Sequence, residues 1–125
     1  MKFRAWLNVV LYAAFIFALS SFSWHIPLPK NAEKIHLDWF VHAVEYGVFG
    51  FLLSGALAVT FVRSPRTALF AAALLLSALY GLSDEYHQRF VPYRNACLSD
   101  ALVDTLGAAA GIFVWSRKRS FVKNA

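Results

Sequence analysis

The sequence predicts an all-α membrane protein, a bundle of four transmembrane helices with both termini in the cytoplasm. Three observations carry that expectation. Apolar residues make up 59% of the 125 residues and charged residues only 15%, against roughly 25% charged in an ordinary soluble domain. The apolar residues fall into four long runs parted by short polar segments. The basic residues are shared unevenly among those segments. A soluble domain this short buries a limited share of its chain, so lipid around the outside is the environment that suits a mean hydropathy of +0.53. At this length, residues 1–125 read as a single domain.

A spanning helix needs about 20 mostly apolar residues. The first span is expected over residues 5–22, after Lys2 and Arg4. Its rival is a cleaved secretory signal, with Ala18-Leu19-Ser20 as the small-residue cleavage site. The apolar stretch is long for that role, and a retained span is preferred. The second span is expected over residues 39–62, because the proline in Arg63-Ser64-Pro65-Arg66 breaks a buried helix. The third, residues 67–87, is purely apolar only as far as Leu82. That stretch rises about 24 Å, short of a hydrocarbon core of roughly 30 Å. The helix is therefore expected to continue through Asp84, Glu85 and His87. The fourth span covers residues 100–116, ahead of Arg117-Lys118-Arg119.

Four spans place both termini on one side. The N-terminus, the 63–67 loop and the C-terminal tail hold eight basic residues and no acidic one: Lys2, Arg4, Arg63, Arg66, Arg117, Lys118, Arg119 and Lys123. The other side holds Lys30, Lys34, Arg89 and Arg94. Basic excess marks the cytoplasmic face, so residues 23–38 and 84–99 are expected outside. The net charge of +5 then belongs to membrane flanks, and the expected partner is the lipid bilayer, with no nucleic acid. Cys97 is the only cysteine, which excludes an internal disulfide and a cysteine zinc site. Trp24, Trp39 and Trp115 suit interfacial anchoring.

All seven acids (Glu33, Asp38, Glu45, Asp84, Glu85, Asp100, Asp104) and all four histidines (His25, His36, His42, His87) lie on the outer side. Acids contribute little to orientation, so this segregation needs another cause. Asp38, His42 and Glu45 share one helix face, as do Asp100 and Asp104, and Asp84, His87 and Gln88. A carboxylate at mid-bilayer costs at least about 2.5–3.5 kcal/mol. Arg94, Arg89, a divalent cation or protonation would compensate it. A purely structural account also exists. Asp38 and Asp100 sit where a helix start favours negative charge, and Arg94 is placed to fasten the loop to Asp84 or Asp100.

Gly107-Ala108-Ala109-Ala110-Gly111 is a G-x-x-x-G strip, and Gly47, Gly50 and Ser54 make a similar one on the second span. Such strips let helix backbones approach. Packing within the bundle is preferred over a dimer contact.

At its polar residues the chain resembles the VanZ-like family of small bacterial membrane proteins. The resemblance rests on Asp38-x-x-x-His42-x-x-Glu45-Tyr46 and on Ser83-Asp84-Glu85-Tyr86-His87-Gln88, followed by Phe90-Val91-Pro92, Arg94, Asp100, Gly107 and Gly111. It covers residues 38–111. Trp39, Tyr93 and Asp104 stand where the family commonly has lysine, glycine and asparagine. The resemblance implies a multi-pass protein of the bacterial cytoplasmic (inner) membrane. It also implies a link to tolerance of the glycopeptide teicoplanin, as an analogy only, because fold does not fix function.

The expected function is an outward-facing acidic and histidine-bearing pocket that binds or senses a cell-surface component, lipid-linked or peptidoglycan-related. Asp38, Gln88, Arg94 and Asp100 are the candidate ligand-binding residues. The alternative is a membrane-embedded, metal-dependent hydrolase or transferase acting on a lipid-linked envelope substrate. Its candidate catalytic residues are His42, Glu45, Asp84, Glu85 and His87. His42, Glu45, Asp84 and His87 are also the candidates for holding a divalent metal, since mixed imidazole and carboxylate donors suit zinc or manganese. No pair has H-E-x-x-H spacing. A transporter is disfavoured by the narrow bundle and by the lack of an inverted repeat.

Overall fold

The computed structural model describes residues 1–22, 34–92, 94 and 97–123, with side chains omitted at 34–38 and 119–123. Trp24, His25, Lys30, Glu33 and Tyr93 lie outside the described residues, as do the side chains of His36 and Asp38. Four helices follow one another: α1 (Lys2–Ser20), α2 (Lys34–Thr60), α3 (Arg66–Gln88) and α4 (Leu98–Lys123). Each is long and apolar enough to cross a membrane. Their outward faces carry Phe15, Leu75, Leu79, Leu102, Leu106 and Phe113, a surface suited to hydrocarbon.

The helix limits follow from local chemistry. Pro65 precedes α3 with φ −63° and ψ 147°, the φ its ring imposes. Its carbonyl accepts the Leu69 N–H at 3.2 Å, so the first turn starts there. The expected continuation of α3 past Leu82 is present, and Asp84, Glu85 and Gln88 are buried on its inner face. At the end of α1, side chains add to the backbone bonds that the Ser21 and Phe22 N–H groups make to the Phe17 and Leu19 carbonyls. The Ser21 hydroxyl donates to the Phe17 carbonyl at 2.7 Å, and Arg94 Nη2 donates to the carbonyls of Leu19 at 3.3 Å and Phe22 at 3.4 Å.

The core is built from Ile16, Tyr46, Phe49, Leu53, Ala73, Ala108 and Ile112. Helices α2 and α4 run in the same direction and make the closest approach in the bundle. A Cβ at Gly111 would strike the Gly47 carbonyl, one at Gly107 would strike the Ala43 carbonyl, and one at Gly50 would come within 2.5 Å of the Ala108 carbonyl. Both glycine strips therefore face each other within one chain. Trp115 packs edge-on to Phe70 with ring centres 6.2 Å apart. Trp6 donates its indole N–H to Thr60 at 2.8 Å, tying α1 to α2 at the end opposite the acids.

Candidate functional site

The α2–α4 approach decides what sits above it. Gly107 rests on Ala43, and one turn towards the polar end the same two helices place Asp104 against His42. Asp104 Oδ1 lies 2.9 Å from His42 Nδ1, with both side chains buried. Asp104 Oδ2 has no hydrogen-bond partner. Gly81 on α3 makes room for this carboxylate: a Cβ there would lie 3.1 Å from Oδ2 and 3.4 Å from the Tyr46 ring.

Glu85 and Asp100 complete the inner part of the cluster. Glu85 Oε2 accepts the Cys97 backbone N–H at 2.9 Å, while Oε1 has no partner. Asp100 Oδ1 accepts the Trp39 indole N–H and the Ser99 hydroxyl, each at 3.1 Å. His42, Glu85 and Asp100 each offer a donor atom, and these atoms lie within 4.8 Å of one another. One residue comes from each of α2, α3 and α4.

A second group faces α1. Asp84 accepts the Ser20 hydroxyl at 2.6 Å and the Gln88 amide at 3.1 Å. His87 meets the Ser21 hydroxyl through Nε2 at 3.0 Å, with its ring against Phe17 at 4.4 Å between centres. Glu45, half-buried, is within electrostatic reach of His42, Asp84, Asp104 and Arg94. Among the described residues, the ion pair at this end is His42–Asp104. Five carboxyl groups thus gather at one end of the bundle with little cationic compensation from the described side chains.

The VanZ/LLP1 family model matches residues 3–119. The chain belongs to this family. The match takes in α1 from residue 3 as well as the polar motifs, and with four membrane-length helices it makes the protein a multi-pass membrane protein. No curated protein matches the chain, and no solved structure does.

The VanZ/LLP1 motif residues divide between these two groups. His42, Glu85 and Asp100 come together, with Glu45 near them. Asp84 bonds to Gln88 and to Ser20 of α1, and His87 also turns to α1. Arg94 forms no ion pair with Asp84 or Asp100; its guanidinium serves the end of α1 instead. Asp38 lies in the early turns of α2, its side chain outside the described residues. Ser20 and Gly81 are participants that the sequence does not single out as site residues, and Asp104, noted on one face with Asp100, is not among the candidate site residues. The one-turn spacing from Asp100 was a signal for Asp104, but Ser20 and Gly81 had none, because their contacts are with distant segments.

Proposed function

We propose that the chain is an envelope protein of the bacterial cytoplasmic membrane whose outward-facing polar cluster binds a cell-surface component, lipid-linked or peptidoglycan-related. One observation carries the reading: Glu85 Oε1 and Asp104 Oδ2 are buried at the bundle end without a partner. Buried polar atoms are nearly always paired, and ionisable groups at membrane depth are costly unless they serve a ligand or pathway. A bound group bearing positive charge or N–H donors would give such an oxygen its partner. The basic excess on the opposite segments supports an outward-facing cluster.

A photo-crosslinking residue at Leu98, which is exposed beside the cluster, tests this in living cells. Capture of a lipid-linked envelope precursor is expected, with loss of capture in Glu85→Gln at equal protein level. Capture of bulk phospholipid alone in both proteins would refute the reading. The link to glycopeptides is a separate arm: expression should raise the teicoplanin concentration that cells tolerate, and Glu85→Gln should not. The buried His42–Asp104 pair favours a second reading. An imidazole oriented by a carboxylate is the arrangement of a general base, which would make the protein a hydrolase or transferase. Conversion of the captured component, rather than retention, would select it.

A further inference from the structure

We propose that His42, Glu85 and Asp100 bind a single divalent transition-metal cation of the zinc or manganese class, with Asp104 as the residue that positions His42. The three donor atoms come from three helices and lie within 4.8 Å of one another. Bonds of about 2.0–2.2 Å around a tetrahedral ion place its ligands about 3.4 Å apart, so a small side-chain rotation closes the set. One imidazole and two carboxylates suit zinc or manganese. Three protein ligands leave a position open for water or a ligand group.

A second observation is independent of this proximity. Glu85 is only 5% exposed, and its Oε1 has no partner. Its other oxygen is held by the Cys97 N–H at 2.9 Å, which fixes the carboxylate in place. A dication beside Glu85 and Asp100 would offset both charges. His42 Nδ1 lies 2.9 Å from Asp104 Oδ1, the carboxylate–histidine–metal relation that fixes a ring and raises its basicity, and a cation would be met by Nε2. Asp84 is outside the group of mutually close donor atoms, and its two oxygens accept from Ser20 and Gln88. Of the four metal candidates named from the sequence, His42 alone belongs to this set.

The inference rests on the binding role proposed above and supplies that role with its charge. Full-length protein in nanodiscs, stripped with chelator and reloaded with zinc or manganese chloride, should retain one ion per chain by elemental analysis. His42→Ala, Glu85→Gln and Asp100→Asn should retain none, and Asp84→Asn should retain one. Asp104→Ala should keep the stoichiometry with affinity lowered about 10–100-fold. Wild-type protein that holds no metal after loading, or Glu85→Gln that holds as much, overturns the site. Should a ligand variant fail to accumulate, cobalt-loaded wild-type protein decides: a visible spectrum displaced by zinc is expected, and its absence overturns the proposal. Metal-free wild-type protein that still captures the envelope component overturns the claim that the cation supplies the binding role with its charge, and leaves the binding role. Metal-loaded protein that captures nothing does the reverse.

Discussion

Asp104 meets His42 through one oxygen and leaves the other bare beside Gly81. Asparagine in its place keeps an oxygen for the His42 Nδ1–H, whereas leucine removes it. Asp104→Asn is therefore expected to melt close to wild type, and Asp104→Leu to lose about 1–3 kcal/mol, the cost of depriving a buried polar group of its partner. Equal melting of the two variants in detergent would contradict this account. Arg94 calls for a different test. Its hydrogen bonds run to the carbonyls of Leu19 and Phe22, not to carboxylates. Arg94→Ala should cost about 1–2 kcal/mol by releasing the end of α1. Neutralising Asp84 or Asp100 in the same chain should not restore it; restoration would show that Arg94 balances the acids instead.

Between elements, the decisive contact is α2 on α4. Because a Cβ at Gly50, Gly107 or Gly111 would strike the facing backbone, a side chain at any of these three positions separates the helices that carry His42 and Asp104. Gly111→Leu is expected to destabilise the protein by about 1–3 kcal/mol or more, as overpacking does, while Ala109→Leu on the exposed side of α4 should be nearly neutral. Thermal unfolding of both variants checks the contrast, and similar losses would deny the strip its role. Helix α1 is a working member of the bundle. Ser20 reaches Asp84 at 2.6 Å and Trp6 reaches Thr60 at 2.8 Å. Intact-mass measurement of the membrane-extracted chain should thus find α1 still attached, and a mature N-terminus near Ser21 would overturn that expectation.

For the whole molecule, charge separates along the bundle axis. The described acids cluster at one end, where Arg89 and Arg94 also lie, and Lys2, Arg4, Arg63, Arg66, Arg117 and Lys118 flank the other. The basic end is expected in the cytoplasm. Cys97, exposed at the acidic end, should then react with an impermeant maleimide in intact cells. Ser64→Cys, in a chain also carrying Cys97→Ser, should react only after the membrane is opened. The reverse pattern would invert the topology.

Helix number and placement were legible in the sequence because each span must satisfy its backbone internally and expose apolar side chains to lipid, properties that local composition reveals. The continuation of α3 through Asp84–Gln88 was readable for the same reason, since an apolar run ending at Leu82 is too short to cross alone. Periodicity also brought acids and histidines to one end of the bundle. It could not say which neighbour each side chain would face. His87 and Asp84 share a face with Gln88, yet α1 claims them through Ser20, Ser21 and Phe17. Arg94 is within electrostatic reach of Glu45, yet its hydrogen bonds go to the carbonyls of Leu19 and Phe22. Asp104 acquired its partner only because two glycine strips set the register of α4 against α2. The physical reason is range: helix formation and membrane insertion depend on neighbours in the chain, while the pairing of His42 with Asp104, and of Glu85 with the Cys97 backbone, depends on how separate helices rotate and approach when packed.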